Sequence, residues 1–359
     1  MSTKASFASQ PVAIPSAAMA APPAAAGALD VLSDLLRVVR LSGAVLFRGD
    51  LTTPWAFESM DSSQLARMLL PRAKWLALFH VVAKGRCWLK LPSGQHLELS
   101  QGDIVVLPYG DAHTMGSDGA RGPVPVGRLL AENLQCSPGV PVVVYGGGGE
   151  ATELVCGFVH CDELLFNPLL KGLPVAMHLS ASDRPGRSLV ATATQSMIEE
   201  LRSARAGSAC VLARLTELLF VEVLRQHMAA LPPHACGWLS ALNDPLLGRA
   251  LALLHAQPAH RWTVDDLVRQ LGTSRSVLAA RFKSLLGQSP MHYLTCWRLQ
   301  LAAQLLHDNK LALSAIAEQV GYESEPAFNR AFKRFAGEPP ATWRANATAA
   351  PVAHAARPA

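Results

Sequence analysis

The apolar positions change period along the chain, and each change predicts a different kind of element. Residues 29–40 (LDVLSDLLRVVR) carry apolar side chains at helical spacing, with Asp30 and Asp34 near the start, and predict a short amphipathic helix. From Gly43 the runs become short, and either alternate or stay apolar throughout: 43–50, 74–85, 86–92, 95–100 and 102–108. Clusters of Gly, Pro, Ser and Asp separate them, which predicts an antiparallel β-sandwich or barrel. Residues 121–125 read as a loop. The four-glycine run 146–149 reads as a flexible connection between two strands, because no Gly-Lys-Ser/Thr follows it to make a phosphate loop. After Pro168 the period turns helical, with helices expected over 189–200 and 211–228. The second has a stripe of Leu212, Leu215, Leu218, Leu219, Val223 and Leu224, which suits core packing or the seam of a homodimer. Residues 231–237 form a linker, and helices resume from Leu239 to about Arg344.

Within that last helical stretch one plan occurs twice. Thr263 opens a helix that ends at Gly272, and Ser274 opens the next, which runs to Gly287. Leu313 opens a helix that ends at Gly321, and Ser324 opens the next, which runs to Phe335. Thr263, Ser274, Ser314 and Ser324 are expected caps, and the glycines allow tight turns. Pro326 falls in a first turn, where a missing N–H costs little. Leu267, Leu271, Leu278 and Phe282 supply a packing face in one unit; Ile316, Val320, Phe328 and Phe332 do so in the other. Residues 290–306 between them predict one connecting helix, about 26 Å long at the usual rise. That length suits two recognition helices in successive major grooves, about 34 Å apart.

Charge sharpens this reading. The chain of 359 residues has a formal net charge of +5. The stretch 238–346 alone has 12 Lys/Arg against 8 Asp/Glu, a bias that suits a phosphate-bearing partner. The seven cysteines are irregularly spaced and contain no CxxC pair, which argues against a disulfide framework or zinc finger and for a reducing cytoplasm. Residues 1–28 and 347–359 are Ala/Pro-rich and read as disordered tails. No apolar run is long enough to predict a membrane span.

The stretch 262–343 resembles the DNA-binding domain of the AraC/XylS family. The densest match is Ile316-Ala-Glu-Gln-Val-Gly-Tyr-x-Ser324, followed by Phe328-x-Arg330-x-Phe332-Lys333-x-Phe335-x-Gly337-x-Pro339-Pro340-x-x-Trp343-Arg344. The resemblance implies double-stranded DNA as partner, together with RNA polymerase. It implies that Arg275, Ser276, Ala279 and Ala280 face DNA from the first recognition helix, and Glu325, Pro326, Asn329 and Arg330 from the second. Small side chains touch thymine methyls but make no bidentate hydrogen bonds, so Arg330 is the better base reader. Lys283, Lys333 and Arg334 are expected on phosphates. Arg281 and Arg298 suit an intradomain bond as well as a DNA contact.

A second resemblance covers about 29–166. Gly102-Asp-Ile-Val-Val-Leu-Pro108-Tyr-Gly110-Asp-Ala-His113 is similar to the second motif of cupin barrels, in the form that senses small molecules ahead of AraC-type domains. The first cupin motif is incomplete. His80 and Gly94 fit, but Val82 stands where a second His belongs and Cys87 where a carboxylate belongs. That argues for a sensor, not an enzyme; the alternative is a metal-dependent cupin enzyme fused to a DNA-binding domain. His80, Trp88 and His113 are candidate effector-binding residues, with no metal or cofactor assigned. Cys87, Cys156 and Cys161 are candidate redox residues for an oxidant effector.

The expected architecture is multidomain α+β. It comprises an all-β cupin-like barrel over 29–166, a helical dimerisation segment and linker over 167–237, and an all-α domain with two helix-turn-helix units over 238–346. The expected function is sequence-specific DNA binding set by a small-molecule or oxidant effector, in a cytoplasmic homodimer.

Overall fold

The computed structural model describes residues 30–348, apart from positions 40, 71, 72, 74, 75, 121, 136–139, 162–164, 171, 182–188, 204, 233, 309 and 310. The expected tail 1–28 lies outside the described residues, as do 349–359 of the other.

The chain begins with α1 (Val31–Val39), β1 (Leu41–Thr52), β2 (Ala56–Glu58), α2 (Ser62–Leu69) and β3 (Leu76–Lys84). It continues through β4 (Arg86–Lys90), β5 (His96–Ser100), β6 (Ile104–Leu107), β7 (Thr114–Gly116) and β8 (Val124–Pro125). Then come α3 (Val126–Asn133), β9 (Leu134–Gln135), β10 (Val142–Gly146), β11 (Ala151–Cys161) and β12 (Met177–Leu179). Seven strands form one sheet in the order β12-β6-β3-β11-β1-β10-β9, and five form a second in the order β5-β4-β7-β2-β8. Most pairs are antiparallel, but β1 pairs β10 and β2 pairs β8 in parallel. β10 reaches β1 only after the chain has built the second sheet, the long crossover that a parallel pair requires.

Alternation along the strands assigns two faces. Leu78 and Val82 of β3, Leu89 of β4, Met115 of β7, and Leu154 and Phe158 of β11 fill the space between the sheets. The opposite face of the larger sheet, with Ala77, Phe79, Val81, Ile104, Val106, Val155 and Val159, is buried under α4 (Leu189–Ser203) and α5 (Ser208–Ala229). Coverage on both faces is why β3 reads as an apolar run broken only by His80 and ending at Lys84. In the α5 stripe, Leu212, Leu219, Val223 and Leu224 belong to this layer, while Leu215 and Leu218 stay half-buried.

The glycine run 146–149 is a bonded turn. The N–H groups of Gly147 and Gly149 donate to the carbonyls of Thr52 (3.0 Å) and Thr53 (2.8 Å). A Cβ on Gly147 would lie 2.4 Å from Pro54 Cδ, so glycine is required for this close approach rather than for flexibility.

The remaining chain is helical: α6 (Trp238–Asn243), α7 (Pro245–Ala256), α8 (Val264–Leu271), α9 (Arg275–Leu286), α10 (Pro290–Asp308), α11 (Leu313–Gln319), α12 (Glu325–Ala336) and α13 (Pro340–Thr348). The first unit shares one core with the sheet-and-helix layer, since Trp238, Leu251, Phe282 and Tyr293 cluster with Leu224 of α5. The second has its own core of Leu299, Leu306, Ile316, Val320, Phe328 and Phe332. Among the described residues no helix is long and apolar enough to cross a membrane.

Candidate nucleic-acid interface and barrel site

The first helix-turn-helix is built by local chemistry. Thr263 Oγ1 accepts from the Asp266 N–H (3.1 Å), and an Asp266 carboxylate oxygen accepts from the Thr263 N–H (3.0 Å). This capping box starts α8. Gly272, with φ +65°, ends it in the left-handed region, and Ser274 Oγ accepts from the Val277 N–H (3.3 Å) to start α9. Leu278 and Phe282 point into the core, and the Phe282 ring meets Tyr293 edge to face at 6.3 Å. Arg275, Ser276, Val277, Ala279, Ala280 and Lys283 are exposed. The Arg275 guanidinium is held by both carboxylate oxygens of Asp265 on α8. Lys283 Nζ donates to the Gly287 carbonyl (3.3 Å).

In the second unit Ser314 is not the cap: Ala312 holds that position without a side-chain bond, and Ser314 sits inside the first turn of α11. Ser324 does cap α12, its Oγ accepting from the Ala327 N–H (3.4 Å), and Pro326 lies in the first turn. Phe328 and Phe332 face inward, and Phe332 meets Trp343 edge to face at 5.9 Å. Pro326, Arg330, Lys333 and Arg334 are exposed; Glu325 and Asn329 are half-buried. The Asn329 carboxamide oxygen is covered and has no hydrogen-bond partner.

The two units are locked to each other. Arg298 on α10 donates to the carbonyls of Pro258 (2.6 Å) and His260 (2.8 Å), so its guanidinium is engaged inside the domain. Arg261 pairs with Glu323 at 3.1 Å across the same joint, whereas Arg281, 3.7 Å from Asp244, pairs within the first unit. Gly321 fits beneath this joint with φ +85°, where a Cβ would lie 2.7 Å from Ala259 Cα.

In the barrel, β3, β11 and the turn before β7 bring together His80, Cys156 and His113, all buried. His113 Nδ1 lies 2.9 Å from the Asp111 carbonyl, which can only accept, so Nδ1 carries a proton. Burial holds His113 down to about 4 and His80 well below the usual imidazole range, so both rings are neutral at neutral pH. His113 Nε2 therefore accepts, and His80 Nε2, 2.8 Å away, donates to it. His80 Nδ1 is left as acceptor for the Cys156 thiol at 3.1 Å. The proton order is thus fixed from Cys156 through His80 and His113 to the Asp111 carbonyl.

This donor set does not fit the metal of an enzyme cupin. Every ring nitrogen already has a partner, and Cys156 sits on the far nitrogen of His80 from His113. A catalytic site of that kind needs about three converging protein ligands. Among the described residues no group of three or more His, Cys, Asp or Glu is placed to hold an ion.

The candidate thiols are poorly placed for thiolate chemistry. Burial pushes Cys87 up to about 12 and pushes Cys156 up as well. Cys161 ends β11, and its side chain lies outside the described residues. The exposed thiols Cys210 and Cys236 lie beyond the barrel strands. Trp88 is not part of the His80–His113 cluster. It lies on the face of β4 opposite Cys87 and Leu89, with Lys90 Nζ 4.8 Å from its ring centroid.

Sequence reasoning passed over a set of residues that joins barrel to helices. The Tyr109 hydroxyl, four residues before His113, donates to the carbonyls of Leu170 (2.6 Å) and Leu173 (3.0 Å). In the same segment the Phe166 N–H donates to Gln300 Oε1 on α10, and the Phe166 ring meets Tyr293 edge to face at 5.4 Å. The Tyr293 hydroxyl in turn accepts from Trp238 Nε1 (2.9 Å) and lies 2.8 Å from His255 Nε2. The aromatic residues Tyr109, Phe166, Trp238 and Tyr293 were a signal for these contacts; Gln300 gave none.

A Cupin family profile matches residues 30–229, and a helix-turn-helix domain profile matches 267–346. An AraC-like transcription regulator of Streptomyces lividans is 34% identical over 80% of this chain and 95% of its own length. One of Streptomyces antibioticus is 34% identical over 79% and 94%. The HTH-type transcriptional regulator AlkR of Acinetobacter baylyi is 30% identical over 88% and 99%.

Proposed function

The chain belongs to the AraC-like transcription regulators, DNA-binding proteins with a helix-turn-helix domain, and from that premise we propose that α9 and α12 bind one operator duplex under control of a small effector at the barrel. One observation carries the reading of the output. Two helices of 12 residues each bury one apolar face, Leu278 and Phe282 on α9 and Phe328 and Phe332 on α12, and turn exposed Lys283, Arg330, Lys333 and Arg334 away from the core. The connecting α10 has 19 residues. At the usual rise it is about 28 Å long, which suits two successive major grooves. Arg330 makes no ion pair among the described residues and is the base reader, suited to guanine O6 and N7. Lys283, Lys333 and Arg334 hold phosphates, and Ser276, Ala279, Ala280, Pro326 and Asn329 line the groove side. Arg275 and Glu325 bound the two reading faces at their helix starts.

The barrel is a sensor and not an enzyme. Its neutral, internally bonded His80 and His113 favour a neutral ligand able to replace one of their hydrogen bonds, and the raised thiols of Cys87 and Cys156 favour a small molecule over an oxidant. The Tyr109 and Phe166 contacts supply a route from that site to α10. We assign a homodimer to the part of α5 that the sheet leaves half-buried, at Leu215 and Leu218, and contact with RNA polymerase to the DNA-bound state. A cytoplasmic location follows from a DNA target.

Fluorescence anisotropy of the full chain on labelled duplex, from low to moderate salt, tests the output. Phosphate binding predicts a linear fall of log affinity with log salt, with a slope of about −0.9 for each phosphate neutralised. Absence of binding at low salt would remove the proposal.

A further inference from the structure

The two helix-turn-helix units repeat at an offset of 50 residues: α9 starts at Arg275 and α12 at Glu325, and the helices that follow start at Pro290 and Pro340. Equivalent positions can therefore be compared directly. Leu278 and Phe282 face the core from α9, as Phe328 and Phe332 do from α12. At about 100° per residue the opposite face of α9 is centred on Ser276 and Ala280, with Val277 and Ala279 at its flanks. On α12 the same positions hold Pro326 and Arg330, with Ala327 and Asn329. Where the second helix offers a guanidinium, the first offers methyl groups.

Two further observations give the first face its chemistry. Arg275, the cation in the first turn of α9, has its fork occupied by Asp265 and is tied to α8. Val277 is 47% exposed, although the core of its own unit is closed by Leu278 and Phe282 beside it. A large apolar side chain left nearly half uncovered on a recognition face lacks a full packing partner in the free protein. It gains one against an apolar group on the DNA. In the major groove the only such group is the thymine C5-methyl.

We propose that Val277, together with Ala280, reads thymine methyl groups, so that the first unit is a thymine reader while the second is a guanine reader. The proposal rests on α9 and α12 being the DNA-recognition helices. It makes the operator's two half-sites chemically unlike, one selected by shape and apolar contact and the other by hydrogen bonding. Burial of one methyl corresponds to about a fourfold change in affinity.

The test exploits a base change that removes only that methyl. The full chain is used to select its tightest duplex from a random pool, and each thymine is then replaced singly by deoxyuridine. Anisotropy titrations are run with the wild type and with Val277→Ala, which keeps the helix and alters an exposed position. The expected result is a loss of about three- to fivefold at one or two thymines of a single half-site with the wild type. With Val277→Ala at least one of these replacements changes affinity little, and a thymine facing Ala280 keeps its loss. The proposal is overturned if no replacement weakens the wild type, or if Val277→Ala shows the same losses. Failure to select any sequence would overturn the DNA-recognition reading itself, and the proposal with it.

Discussion

The backbone N–H of Phe166 donates to Gln300 Oε1 at 2.9 Å, in a site where both residues are buried. Phe166 follows the barrel strand β11 by five residues, and Gln300 lies within α10, which joins the two helix-turn-helix units. One hydrogen bond therefore ties the end of the barrel to the helix that connects the two helix-turn-helix units. Gln300→Leu keeps the volume and removes the acceptor, leaving a buried N–H without a partner. The expected loss of stability is about 1–3 kcal/mol, read as a lower urea midpoint. DNA affinity should change in the same variant; an unchanged midpoint and affinity would show that this contact couples nothing.

Acid should destabilise the barrel through its buried imidazoles. His113 is held down to about 4 and His80 well below its usual value, while both take up protons near 6.5 in the unfolded chain. The sign follows from linkage. The stability they contribute is complete above about pH 6.5 and is lost as pH falls towards the folded value. His113 alone accounts for about 3 kcal/mol of that loss by pH 4. Urea denaturation at pH 7.5, 5.5 and 4.5 measures the slope, and His113→Asn should flatten it. Equal slopes in the wild type and the variant would contradict the buried neutral state.

The base reader and the phosphate contacts proposed for α12 can be separated by mutation. Arg330→Ala should cost about 1–3 kcal/mol on the selected duplex and relax preference at one base pair. Lys333→Ala should weaken all sequences alike and lower the salt slope by about one. Anisotropy on specific and scrambled duplexes distinguishes them. If Arg330→Ala weakens both duplexes equally, Arg330 is a phosphate contact.

The joint between the units predicts a sharp effect from one methyl. At Gly321 the backbone has φ +85°, and a Cβ would meet Ala259 Cα at 2.7 Å and its carbonyl oxygen at 2.8 Å. Both are backbone atoms that cannot swing aside. Gly321→Ala should therefore lower thermal stability and weaken binding to a two-half-site duplex more than to a single half-site. Wild-type values for both would mean that the loop 258–260 moves freely.

Much of the helical half was legible because its signals are local. Thr263, Ser274 and Ser324 cap within three residues of the groups they bond, and Gly272 ends α8 by its own backbone freedom. Ser314 misled because a serine near a helix start reads as a cap, whereas the backbone enters the helix two residues earlier, at Ala312. The strands were legible from period, and the histidines His80 and His113 from motif position. Their partners were not. Cys156 lies 76 residues from His80, and Gln300 lies 134 from Phe166, so only the folded chain brings them together. The α5 stripe shows the same limit: spacing gives an apolar face, but not that the sheet covers most of it.

The most direct test of the central claim is selection of random duplex DNA by the full-length protein, followed by sequencing of what is retained. The account predicts an enriched bipartite motif whose two elements lie about one helical turn apart. One element should be thymine-bearing and the other should carry a guanine whose enrichment is lost in Arg330→Ala. Recovery of a pool no different from the input, with the protein folded, would contradict it.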